Sequence, residues 1–154
     1  MNAAARAAVA AAVVGCALAA VSAPVAAADF ASVGTAGAVL YDGPSAKARK
    51  LWVAPRGMPI ELLAAPDPAW VKARDVGGDV FWLPRTDVSE RPGLIAVTAA
   101  TVRQSPSDAA PVELRVERGV LLEPVEPAAS AGWFRVRHRD GATGWVRATE
   151  VWGR

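Results

Sequence analysis

His138 is the only histidine of this 154-residue chain and Cys16 its only cysteine, so the usual nucleophiles, bases and zinc ligands are scarce. His138 stands between Arg137 and Arg139, just before Asp140 and Gly141, with no serine or cysteine motif beside it. With no second histidine to complete a metal site, it reads as a solvated or half-buried strand residue. Asp75 and Asp79 flank Gly77-Gly78. Two such carboxylates could hold a hard cation, but turn aspartates more often accept hydrogen bonds from their own backbone. Glu113, Glu117, Glu123 and Glu126 have no general-acid context, and no glycine-rich phosphate loop occurs. The chain is expected to be no enzyme and to carry no metal or cofactor.

Binding chemistry is better represented. Six tryptophans offer flat apolar platforms with a donor edge, suited to sugars or an extended peptide. The run Arg135, Arg137, His138, Arg139, helped by Arg147, is interleaved with Trp133 and Phe134, a pattern open to anionic ligands. The bland alternative is a solvated strand face. Lys and Arg total 17 against 15 Asp and Glu, a formal charge of +2 that gives no push toward nucleic acid. No nucleic-acid partner is expected.

The elements that position these residues are duplicated. Shifting the chain by 63 residues places Trp70 on Trp133, Arg74 on Arg137, Gly78 on Gly141, Trp82 on Trp145 and Thr86 on Thr149. A shift of 62 aligns the earlier part, Pro44-Ser45 with Pro106-Ser107 and Arg56-Gly57 with Arg118-Gly119. Each copy has about 60 residues, near the lower limit for a self-supporting core. Apolar positions recur with period two: Val112, Leu114 and Val116 in one run, Phe134, Val136 and His138 in another. Twelve prolines punctuate the chain and no segment makes a convincing helix. Gly77-Gly78 and Asp140-Gly141 suit two-residue hairpin turns. Such turns set Ala73 opposite Trp82 and Val136 opposite Trp145, sending Trp82 and Trp145 to the core. Trp70 with Lys72 and Arg74, and Trp133 with Arg135 and Arg137, then occupy the other face, where burial and exposure are equally open to the two tryptophans. The expected units are 30–88 and 94–152, joined by a linker at 89–93. Five residues span at most about 17 Å, so the units must lie side by side.

Residues 1–28 have the pattern of a secretory signal peptide. Arg6 and the amino terminus precede an apolar stretch, Ser22-Ala23-Pro24 breaks it, and small residues lead to a cut between Ala28 and Asp29. Val13-Val14-Gly15-Cys16 offers a competing reading, a lipoprotein box that would leave Cys16 acylated. The apolar stretch is shorter than the ~20 residues of a membrane span, so no span is expected in the mature chain. The destination is periplasmic or secreted. Cut after Ala28, the protein is cysteine-free and must be held by packing alone.

The second copy resembles the bacterial SH3-like (SH3b) domains. The resemblance rests on Thr101-Val102-Arg103 followed by Ser105-Pro106-Ser107, on Arg118-Gly119, on Gly132-Trp133-Phe134-Arg135-Val136 and on Gly144-Trp145-Val146. The first copy is more divergent: Ala38-Val39-Leu40-Tyr41-Asp42 and Trp82-Leu83-Pro84 are similar to elements of eukaryotic SH3 domains, but Phe81 stands where a glycine is usual. The resemblance implies an all-β chain of two small antiparallel barrels in tandem, about five strands each, behind a signal peptide. It also implies a non-catalytic, monomeric binding module. The partner would be peptidoglycan or its stem peptides, or alternatively an envelope protein to which the chain docks as an adaptor. On the same analogy Tyr41 with Trp70, and Trp133 flanked by Arg135 and Arg137, border shallow ligand grooves. A PxxP-type groove is not expected, because Lys47, Arg49 and Lys50 make the following loop basic.

Overall fold

The computed structural model of the chain describes residues 28–63 and 67–154. The expected signal peptide, save Ala28, lies outside the described residues. Among them the chain forms two seven-stranded sheets with the same strand order. The first contains β1 (Phe30–Val33), β2 (Ala38–Tyr41), β3 (Lys50–Ala54), β4 (Pro59–Leu63), β5 (Trp70–Arg74), β6 (Val80–Pro84) and β7 (Val88–Ser89). The second contains β8 (Leu94–Ala96), β9 (Ala100–Arg103), β10 (Val112–Val116), β11 (Leu121–Ser130), β12 (Trp133–Arg137), β13 (Thr143–Arg147) and β14 (Val151–Gly153). The orders β3-β2-β6-β5-β4-β1-β7 and β10-β9-β13-β12-β11-β8-β14 are one topology written twice, with neighbouring strands antiparallel among the described residues. Each unit has seven strands instead of the expected five, because β1, β7, β8 and β14 are too short for an alternating pattern to show. A 3-10 turn, Arg85–Asp87 or Ala148–Glu150, leads into each closing strand.

Two separate cores result. Leu40, Ile60, Phe81 and Leu83 anchor the first, and Leu94, Val102, Val136 and Val146 the second. The expected alternation holds in β12, where Val136 is buried and Phe134 packs on the second core. It weakens along β10: Val116 is buried, but Val112 is exposed at the far end of this edge strand.

The hairpin register differs from expectation by one residue. His138 N donates to Ala142 O at 2.8 Å and Gly141 N to His138 O at 2.9 Å, enclosing a three-residue loop in which Gly141 has φ +97°. The first copy repeats this with Asp75, Asp79 and Gly78 at φ +92°. A type I turn closed by a left-handed glycine is the common three-residue hairpin, and Asp-Gly or Gly-Gly serves it as well as a two-residue turn. Because side chains alternate with period two, the slip moves a whole strand to the opposite face. Trp82 thus pairs with Lys72 and Trp145 with Arg135, while Ala73 faces Phe81 and Val136 faces Gly144. The expectation that Trp82 and Trp145 enter the core is corrected: both are half-buried and outside it.

The barrels touch. Residues 90–93 connect β7 to β8; across the junction Ser32 Oγ donates to Arg91 O at 2.7 Å, and the rings of Phe30 and Trp152 meet edge-on with centroids 5.0 Å apart. A Cβ on Gly93 would lie 2.5 Å from Gly57 O, so only glycine allows this approach.

Candidate binding faces

With the register set, Tyr41, Trp70, Lys72, Trp82 and Pro84 stand on the outer face of the first barrel. Tyr41 pairs with Trp82 across β2 and β6, and Trp70 with Pro84 across β5 and β6. The Tyr41 and Trp70 rings meet at right angles, 5.4 Å between centroids, and Lys72 Nζ lies 5.9 Å from the Trp82 ring. Asp67 fixes the start of β5, its Oδ1 accepting from the amides of Ala69 at 2.7 Å and Trp70 at 3.2 Å. The basic loop after β2 is partly neutralised by Asp42, whose carboxylate accepts from Arg49 N and Arg49 Nε, both at 3.0 Å.

The equivalent face of the second barrel carries Arg103, Trp133, Arg135, Trp145 and Arg147. Here the tryptophan is covered. Trp133 is only 6% exposed although it is not part of the second core cluster, and the Arg147 guanidinium sits over its ring at 4.7 Å. Asp108 holds that guanidinium, with Arg147 Nε donating to Oδ1 at 2.9 Å and Nη2 paired with Oδ2. The Arg147 hydrogen bond keeps the Asp108 carboxyl below the usual carboxylate range, and the pairing raises the Arg147 guanidinium in turn. In the first barrel Pro84 stands in place of Arg147 and leaves Trp70 half-exposed. Arg103, the counterpart of Tyr41, donates to Ala110 O at 2.8 Å. The open aromatic groove expected at Trp133 is therefore roofed in this structure, whereas the Tyr41 and Trp70 rings lie against each other on the outer face.

The structure separates the two arginines assigned to Trp133. Arg135 reaches back along β11, donating to Glu126 O at 3.4 Å. Arg137 lies roughly 13 Å from Trp133 along β12, at the junction of the barrels. Asp75 Oδ1 accepts from Gly77 N and Asp79 N, both at 2.9 Å, so that carboxylate serves its own turn. Among the described residues no group of three or more His, Cys, Asp or Glu could hold a metal ion, and no helix is long and apolar enough to cross a membrane. Ala28 and Asp29 are exposed ahead of β1.

Two tandem antiparallel sheets agree with the family comparison, in which the model of the bacterial SH3 domain fits residues 34–90 and again 96–153. The chain belongs to the bacterial SH3 domain family. Phe81, the residue that breaks the family pattern in the first bacterial SH3 unit, is explained by its partner. Phe81 faces Ala73, whereas Gly144 faces Val136, so each hairpin places one large and one small side chain at this point of the core. No curated protein sequence matches the chain. Similar solved structures include NlpC2 of Trichomonas vaginalis, at 17% identity and a TM-score of 0.34 over 82% of this chain and 48% of that one. An NlpC/P60 family protein of Bacillus cereus is 14% identical, with a TM-score of 0.37 over 81% of this chain and 56% of that one. The chain spans about half the length of these structures.

Proposed function

We propose that the protein is an exported binding module of the cell envelope that holds peptidoglycan stem peptides on the aromatic face of its first bacterial SH3 unit. The reading rests on one observation, the outward grouping of Tyr41, Trp70 and Trp82 beside Lys72. Aromatic rings outside a core that is already filled are available to a ligand, and their faces suit an extended peptide or sugar. Lys72 adds a cation for the carboxylates that stem peptides carry. The signal-peptide pattern supports delivery to the compartment where such a ligand occurs.

Co-sedimentation of the mature protein with purified sacculi tests this. Trp70→Ala should weaken binding by about 2 kcal/mol, roughly 30-fold, if Trp70 is an anchor. Undiminished sedimentation of that variant would sink the assignment of the face.

A second reading is favoured by edge strand β3. Trp52 is 39% and Val53 59% exposed on it, and an open edge of this kind can accept a strand from an envelope protein. Crosslinking to envelope proteins that is lost in Val53→Pro, with sacculus binding absent, would transfer the function to that edge.

A further inference from the structure

Between the two barrels lies a cleft of about 460 Å³, within the range of small-ligand sites. None of the aromatic residues of the outer faces lines it. Arg56 and Arg91 come to it from the first barrel and the connection, Arg137 and Arg139 from the second, with His138 beside them and Glu123 as the one acidic group.

The arginines are available. Among the described residues Arg56, Arg91 and Arg139 have no acidic partner within ion-pair distance. Arg137 is held loosely. Its counterpart in the first barrel, Arg74, grips Glu61 through two nitrogens at 2.7 to 3.0 Å, whereas Arg137 Nη1 is 3.9 Å from Glu123 Oε2. The duplicated ion pair has thus slackened only where the strand end borders the cleft. His138 stands beside them at the cleft, its side chain 17% exposed and its Nδ1 3.0 Å from Asp140 Oδ1.

We infer that the cleft between the barrels binds an oxyanion-bearing ligand, phosphate or carboxylate, gripped by arginines from both barrels. Four arginines lining one concave space match such groups by charge and by the paired N–H donors of the guanidinium. Because Arg56 belongs to the first barrel, Arg91 to the connection and Arg137 and Arg139 to the second barrel, a ligand held by them bridges the barrels. The site is independent of the aromatic face, and either can fail alone.

The test is an amide NMR titration of the mature protein at constant ionic strength. One arm uses inorganic pyrophosphate, the other the acidic dipeptide N-acetyl-Glu-Glu; the tighter arm identifies the source of the oxyanion. Saturable shifts are expected at Gly93 and Gly141. The exposed pair Arg91→Gln/Arg139→Gln should weaken them about tenfold. Arg115→Gln/Arg118→Gln, which removes the same charge away from the cleft, should leave them within about twofold. Amide positions elsewhere report that each variant is folded. Equal weakening by both pairs, shifts scattered over the surface, or no saturation by about 10 mM of either probe would overturn the inference.

Discussion

Trp70 and Trp133 begin equivalent strands, yet their neighbours give them different work. Pro84 leaves Trp70 half-open, while Arg147 closes over Trp133 and is itself held by Asp108. Trp133→Ala should therefore lower stability by about 3 kcal/mol in chemical denaturation. Trp70→Ala should cost clearly less, because less of its ring is removed from water. The cover over Trp133 should respond to acid. With its carboxyl held below the ordinary value of 3.8, Asp108 stays ionised, and the pairing contributes fully, at any pH above that value. It is lost only as the pH falls through the lowered value. Hydrogen exchange of the Trp133 indole N–H should quicken below 3.8, and in Asp108→Asn it should be quick already at neutral pH. An indole equally protected in both would show that Arg147 is not the cover.

At the scale of the strand, the two hairpins show how one loop residue decides which side chains meet. Their glycines have different jobs. Gly141 has open space around a built Cβ but φ +97°, so Gly141→Ala should cost about 1 kcal/mol through backbone strain alone. A Cβ on Gly144 would lie 2.6 Å from Arg103 O and 2.7 Å from Val102 Cγ1. Gly144→Ala should cost about 3 kcal/mol, since β9 must move to admit it. Equal melting temperatures for the two variants would contradict this division. The register was partly legible from the chain. Trp145 and Arg147 share parity, so sending Trp145 to the core would have carried Arg147 with it, an expensive burial. Phe81 and Leu83 sit on the other parity and are the residues that fill the first core. The Asp-Gly dipeptide alone could not choose between two turn lengths that both accept it.

At the scale of the molecule, the pair of barrels is joined by contact as well as by chain. Phe30 meets Trp152, Ser32 reaches Arg91, and Gly93 packs against Gly57. Gly93→Ala should force the barrels apart without touching either core. Calorimetry should then resolve two transitions, and scattering should report a larger radius of gyration. A single unchanged transition with unchanged dimensions would mean the junction yields locally. Separation would also divide the cleft and its arginines.

The duplication, the strand class and the family were written in the sequence by itself. Repeated tryptophan spacing, alternating valines and glycine-bearing turns are local features, and each copy must fold around its own small core whatever its neighbour does. The meeting of Tyr41 with Trp70 was also within reach, through the family pattern. What only the tertiary structure decided depends on residues distant in the chain: the cover that Asp108 and Arg147 place on Trp133, the large-and-small exchange at Phe81 and Gly144, and the arginine cleft. Arg56 and Arg139 are 83 positions apart and carry no shared motif. Their convergence follows from glycine contacts that bring two backbones within reach, and periodicity has no means of expressing such an approach.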